Sequence, residues 1–238
     1  NAREIVARFA LATSQEVEFG RAWYPTAAKT AHRLGCRYGV PTDTATAVIS
    51  ALSPNNKWDR NVVDAEAMCK VFAAGGEETD LNAVTVSTYG INKELATRLL
   101  LDDDTSILTG PKRKEFYNCI IRPELNDVCI DTHAYSVWLG KRVTTKECPN
   151  LTGKIRQRIK QDYHDATAFL NEELARLKVT LTSALESNEI SNDSDMMDST
   201  NKVIGNNPAL VLRDILTDTS YGVGVTSGEI NDTTNAGG

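Results

Sequence analysis

Residues 107–140 read ILTGPKRKEFYNCIIRPELNDVCIDTHAYSVWLG. Ile107 to Lys112 is a tight glycine- and proline-containing turn that leads into a helix over about Arg113–Ile121, and Pro123 ends that helix. Val128-Cys129-Ile130 is too short and too apolar for anything but a buried extended piece. Asp131 stands where an N-cap would stand for a helix over Thr132–Leu139, which Gly140 closes. Helix, break and helix is therefore the grammar of this stretch, and the rest of the chain repeats it.

Upstream, helices are expected over Asn1–Ala12 and over Glu16–Cys36, the second carrying Trp23, Ala27, Ala31 and Leu34 at spacings of three and four. Pro25 falls inside that pattern, so it either kinks the helix or starts its main segment. Pro41 opens the apolar run Ala45–Leu52, which stops at Ser53-Pro54-Asn55-Asn56. Further helices follow over about Arg60–Ala74 and Ile91–Leu100, separated by a surface loop at Gly75-Gly76-Glu77-Glu78, and Asp102 to Asp104 form a solvated break. Hardly any stretch alternates with the period of a half-buried strand, so the expected fold is all-α. Downstream, the basic strip Lys154-x-Arg156-x-Arg158-x-Lys160 runs into a long helix continuing over Gln161–Glu186, with Phe169, Leu170, Leu174, Leu177 and Leu181 on or near one face. Residues 187–200, rich in Ser, Asn and Asp, read as a linker. The expected organisation is a helical domain over 1–165, a helical extension over 166–186, an acidic polar linker over 187–206 and a small tail segment over 207–238, with the tail flexible.

The chain has 238 residues, enough for one domain of ordinary size or a domain with an appendage. No apolar run approaches the roughly 18–20 residues of a membrane span, and NAREIVARFA lacks the apolar core of a signal peptide. A soluble, cytoplasmic protein with no membrane partner is expected, and the start at Asn1 points to a processed or truncated chain. The five cysteines, Cys36, Cys69, Cys119, Cys129 and Cys148, are widely spread and form no C-x-x-C pair, so neither a disulfide framework nor a metal or iron–sulfur site is readable. The net charge of −6 is unevenly spread. Residues 1–160 carry 22 positive and 19 negative side chains, a balance of +3, whereas residues 161–238 carry 4 and 13, a balance of −9. The acidity belongs to the tail, so the total charge is a poor guide to what the main body touches.

Chemistry points to the two motifs of the opening stretch. A glycine turn feeding a helix exposes backbone amides that hold a phosphate, and Lys112, Arg113 and Lys114 strengthen that grip. Asp131, after three apolar residues and at a helix start, is a fixed carboxylate of the kind that stabilises an oxocarbenium-like sugar centre. A lysine amine within reach supplies a nucleophile for an imine at the sugar C1 position. Plainer readings stand beside these: Asp131 as a simple cap, the basic cluster as a solvated helix face, His133 as a core or capping histidine, and Trp58 and Trp138 as core residues. His32 and His164 have no partner at metal-ligand spacing, and no metal site is expected.

AVISALSPNNKWDRNVVDA, ILTGPKRK and VCIDTHAYSVW, in that order over about residues 41–140, resemble the helix–loop–helix, the hairpin and the catalytic segment of helix-hairpin-helix DNA glycosylases of the endonuclease III type. The fuller pattern, GRAWYPTAAKTAHRL followed by ISALSPNNKWDRNV, GPKRKEFYNCI and CIDTHAYSVWLG, is more similar still to phage and prophage proteins related to that superfamily. The resemblance implies a helix-hairpin-helix glycosylase-like domain whose partner is the DNA of a phage, acting in the host cell. It makes Asp131 the catalytic carboxylate, Lys112 the hairpin lysine, Gly110 the hairpin glycine, and Asn55 or Asn56 the residue that fills the gap left by a flipped base. Ser53 shapes the wedge loop, and Lys57, Arg113, Lys114 and His133 join the DNA contacts. No cofactor is implied beyond a monovalent cation held at the hairpin. The departures are a single glycine in the hairpin, Pro111 within it, and a lysine-to-aspartate distance that differs by about one residue, so that Lys112, Arg113 and Lys114 compete for the lysine's role. Iron–sulfur cysteines are also missing, since only Cys148 follows the catalytic segment. Base hypermodification by group transfer, and a non-catalytic DNA-binding or virion-associated module, are the alternative functions. NPALVLRDILTDTSYGVG, near the end, resembles a segment of phage tail-tip proteins.

Overall fold

A computed structural model describes residues 1–189. Among them lie nine α-helices, two short 3-10 turns and no strand: α1 (Ala2–Ala10), α2 (Ser14–Tyr38), α3 (Thr42–Leu52), α4 (Trp58–Ala73), α5 (Glu78–Ala83), α6 (Gly90–Asp102), α7 (Pro111–Ile121), α8 (Thr132–Leu139) and α9 (Gly153–Glu189). The all-α expectation holds. Of the linker expected over 187–206, residues 187–189 belong to α9, which runs three residues past the expected end at Glu186; the rest of it, from residue 190, and the tail segment over 207–238 lie outside the described residues. No helix among the described residues is long and apolar enough to cross a membrane.

The chain divides into two compact units. The first of these in structural order, Val17–Asp131, is organised by α3. Its sequence, TDTATAVISAL, has no charged residue after Asp43, and every residue from Thr44 to Leu52 is buried. A helix that is apolar or small all round belongs at a centre, and α4, α6 and α7 pack against this one. Leu34, Met68, Leu81, Leu99 and Leu108 close the core around it. Pro25 lies within α2, which runs unbroken through it from Ser14 to Tyr38.

The stretch between α4 and α6 also differs from the sequence expectation. The surface loop at 75–78 gives way at Glu78 to a short helix, α5, set by a capping box in which Glu77 and Asp80 each bond the other's backbone N–H. Leu81, fully buried, anchors it.

The second unit combines Asn1–Glu16 with the described residues from Thr132 onward. Ile5, Val6 and Ala166 form its small core, with Val137, Trp138, Tyr163 and Leu170 packed against them. Asp162, almost buried on α9, accepts from Trp138 Nε1 at 2.7 Å and from Arg158 Nε at 3.3 Å. The basic strip is thus not a uniform solvated face: Arg156 is buried, Arg158 is committed to Asp162, and Lys154 is exposed.

Candidate functional site

The Val17–Asp131 unit contains a cavity of about 280 Å³. It is lined by Trp23 and Tyr24 of α2, Ser53 and Asn56 of the α3–α4 loop, Trp58 and Asn61 of α4, Lys112 and Phe116 of α7, and Cys129 and Asp131 of the segment after it. Each contributor is local in origin. Their convergence is tertiary.

One wall is aromatic. Trp23 and Trp58 meet at a centroid distance of 5.3 Å, Trp58 and Phe116 edge to face at 6.5 Å, and Tyr24 and Phe116 at 6.3 Å. Such tilted and T-shaped pairs are favourable geometries for aromatic quadrupoles. Trp58 also packs on the main core, so it serves both the core role foreseen for it and the cavity.

The acidic end is positioned by α7. Glu115, buried there, accepts the Ile130 N–H at 3.0 Å. Asn118 Nδ2 donates to Asp127 at 2.8 Å, the Cys119 thiol to the Asp127 carbonyl at 3.3 Å, and the Cys129 thiol to the Lys112 carbonyl at 3.7 Å. These bonds lay the extended residues 127–130 along α7 and deliver Asp131 to the cavity that Lys112 also lines. A buried backbone that is neither helix nor strand needs side-chain partners of this kind.

The turn before α7 separates the three basic candidates. Gly110 holds φ +87°, a left-handed value that disfavours any side chain, and a Cβ there would come within 3.2 Å of the Arg113 guanidinium. Arg113 folds back over it, its Nε donating to the Thr109 carbonyl at 2.7 Å and its Nη1 to Asn92 Oδ1 at 3.0 Å. The guanidinium therefore lies over the turn and uses the Thr109 carbonyl. Lys114 is exposed. Of the three, Lys112 is the one that lines the cavity.

The loop between α3 and α4 is tied to that same turn. Thr88 Oγ1 donates to the Pro54 carbonyl at 2.9 Å and accepts from Asn92 Nδ2 at 2.8 Å, and Asn92 in turn accepts from Arg113. Buried Asp64 accepts from Asn56 Nδ2 at 2.9 Å and from the Ser87 N–H at 2.8 Å. Asn56 is thereby fixed at the cavity, whereas Asn55 is exposed at the loop tip with φ +56° and donates to the Tyr89 hydroxyl at 2.9 Å. Ser53 follows α3 and donates its hydroxyl hydrogen to the Ser50 carbonyl. Lys57 is exposed immediately before α4, and His133 is exposed on α8 in the other unit.

Burial pushes the Cys129 thiol up to about 12, with Cys119, Asp131 and Glu115 acting in the same direction and Lys112 opposing them. Burial likewise raises Tyr24 well above an ordinary phenol. Both stay neutral near pH 7. A neutral aromatic floor with one acidic and one basic side chain suits a planar, weakly polar group with a reacting centre at its edge.

Sequence motifs had pointed to Lys112, Asp131, Ser53 and Asn56. They did not point to Tyr24, Asn61, Phe116 or Cys129 as cavity residues, nor to Glu115, Asp64, Thr88 and Asn92 as the groups that hold the cavity together. The available signal was polar residues at otherwise apolar helix positions, such as Asn61 and Asp64 in NVVDA. A family model described as a family of unknown function, DUF7178, matches residues 1–182. No curated protein and no solved structure matches the chain.

Proposed function

We propose that this chain, which belongs to the family of unknown function DUF7178, processes a base of DNA at or near its bond to the sugar. The observation that carries the reading is the convergence of Lys112 and Asp131, 19 positions apart in sequence, on one aromatic-walled cavity. A base stacked in a duplex hides the bond to be attacked, so it must be extruded into such a cavity. The ring faces of Trp58 and Phe116 receive it. Asn55, exposed at the loop tip, enters the stack in its place, while Asn56, already committed to Asp64, contacts the extruded nucleotide. As the bond from the sugar C1 to the base breaks, its electron pair leaves with the base, and Asp131 stabilises the positive charge left on the sugar. Water, or the Lys112 amine, then bonds to C1.

Helix α6, the glycine turn and α7 form the helix-hairpin-helix of this reading, with the first amides of α7 and exposed Lys114 on the DNA backbone. Likeness to phage and prophage proteins supports phage DNA as the substrate and the host cytoplasm as the place of action. The test compares wild type with Asp131→Asn on duplexes bearing normal or modified thymines, reading abasic sites and nucleoside mass. Abasic sites are expected from wild type and at least about 100-fold fewer from the variant, with binding retained. A changed base mass without abasic sites would mean group transfer instead. Binding without product from either protein would remove catalysis and leave Asp131 the residue before α8.

A further inference from the structure

Helix α2 ends two residues after Cys36, and the way it ends brings three side chains together. Gly35 is buried, and a Cβ on it would stand 2.6 Å from the Val40 carbonyl oxygen and 3.5 Å from the Thr42 Cα, so the absence of a side chain lets the chain fold back this closely. The Val40 N–H donates to the Gly35 carbonyl at 3.0 Å, and Gly39, at φ +65°, supplies the left-handed step between them. Thr42, the first residue of α3, is thereby returned to the flank of α2. There it meets His32, whose Nδ1 lies 3.3 Å from the Thr42 Oγ1. The other ring nitrogen, Nε2, lies 3.5 Å from Sγ of Cys36, one turn along the helix. His32 and Cys36 are both exposed, and neither lines the cavity.

A nucleophile, a base within its reach and a third group that orients the base are the parts of an activated thiol. When His32 gives its Nδ1 hydrogen to Thr42, Nε2 keeps its lone pair toward the sulfur and can take the thiol hydrogen. Acyl transfer would further require donors aimed at an oxyanion. Exchange with a disulfide requires a thiolate and open access, which an exposed helix face provides. Arg33, exposed three positions before Cys36 and so on the same side of α2, favours an anionic reagent.

The geometry points to Cys36 as a thiol-modification site, with His32 as its base and Thr42 as the residue that positions the base, and with a small anionic disulfide of the glutathione type as co-substrate. The thiol hydrogen passes to His32 Nε2, and the sulfur electron pair forms a bond to one sulfur of the disulfide. The old sulfur–sulfur bond breaks, its electron pair leaves on the second sulfur, and that thiolate recovers the proton from Nε2. One disulfide is consumed, one mixed disulfide and one thiol are formed, and no further oxidant enters. The site stands independently of the base-processing reading.

The full chain is incubated with glutathione disulfide between about pH 6 and pH 10, and peptide mapping by mass follows the mixed disulfide at Cys36 in wild type, His32→Ala and Thr42→Val. At pH 7, Cys36 is expected to react at least about tenfold faster in wild type than in His32→Ala, with Thr42→Val between them. The three rates are expected to meet near pH 10, where an ordinary thiol ionises without a base. Equal rates of wild type and His32→Ala at pH 7 would overturn the proposal. So would a difference that persists undiminished near pH 10, because a base has nothing left to do there and access alone would account for it. One comparison needs no variant: native Cys36 should react faster at pH 7 than Cys36 of the same chain unfolded in urea, and an equal or slower native rate would exclude an activated thiol.

Discussion

Cys129 shows how a single residue reports on the cavity. Its thiol is held neutral by burial beside Asp131 and Glu115, and Cys69, buried at the centre of the core, is likewise pushed up to about 12. Cys36 is exposed. In the native protein near pH 8, a thiol reagent should therefore modify Cys36 rapidly and leave Cys69 and Cys129 until the chain unfolds, as peptide mapping would read. Rapid native labelling of Cys129 would contradict the packing of the 127–130 segment. The sign of the pH effect follows from linkage. These thiols bind their protons more tightly folded than unfolded, so their contribution is full below the unfolded value near 9 and is lost as pH rises toward 12. Denaturant midpoints should accordingly fall across that alkaline window. At this scale the sequence was partly legible. Lys112 stands out in the basic turn GPKRK and Asp131 after the apolar run VCI, but Asn61 gives only the weak signal of a polar residue at an otherwise apolar helix position, and Glu115 gives none. Only burial distinguishes them.

At the scale of elements, the helices were largely readable, because 3.6-residue periodicity and Gly or Pro breaks are local properties. Helix α8 has the expected bounds, Thr132–Leu139, while α2 extends two residues beyond the expected Glu16–Cys36 at each end. Helix α5 was hidden, since Gly75-Gly76 reads as loop and a six-residue helix shows too little periodicity; its capping box was the clue. The 127–130 segment is the element whose placement matters most to the site. It makes no ladder, so its attachment to α7 depends on side chains, foremost Glu115. Glu115→Ala should lower stability in urea by about 1–3 kcal/mol, the cost of leaving the Ile130 N–H unpaired in a buried place. Glu115→Gln, which keeps an acceptor oxygen, should cost less. Base processing should fall with the alanine variant through misplacement of Asp131, with DNA affinity largely kept. Equal stability of wild type and both variants would show that the staple carries no energy.

For the whole molecule, the charge division has a consequence of its own. Residues 190–238 carry two positive and seven negative side chains, and every negative charge tethered to the chain opposes a polyanion within a Debye length, about 10 Å at 0.1 M salt. Removing residues 190–238, which leaves α9 whole, should tighten DNA binding at low salt, and the gain should shrink as salt rises. Affinity unchanged across a salt series would dismiss competition by the tail. What the sequence determined by itself is the all-α class, the helix succession and the two charged motifs, since these rest on contacts within a few residues along the chain. The tertiary structure alone decided that Lys112 rather than Arg113 or Lys114 reaches the cavity, because Arg113 is drawn back over Gly110 by Thr109 and Asn92. It alone decided that Trp23, Trp58 and Phe116, from three different helices, make one wall. And it alone left Asn61 half satisfied, because whether a buried acceptor finds a donor depends on what every neighbouring element brings to it, and no local pattern encodes that.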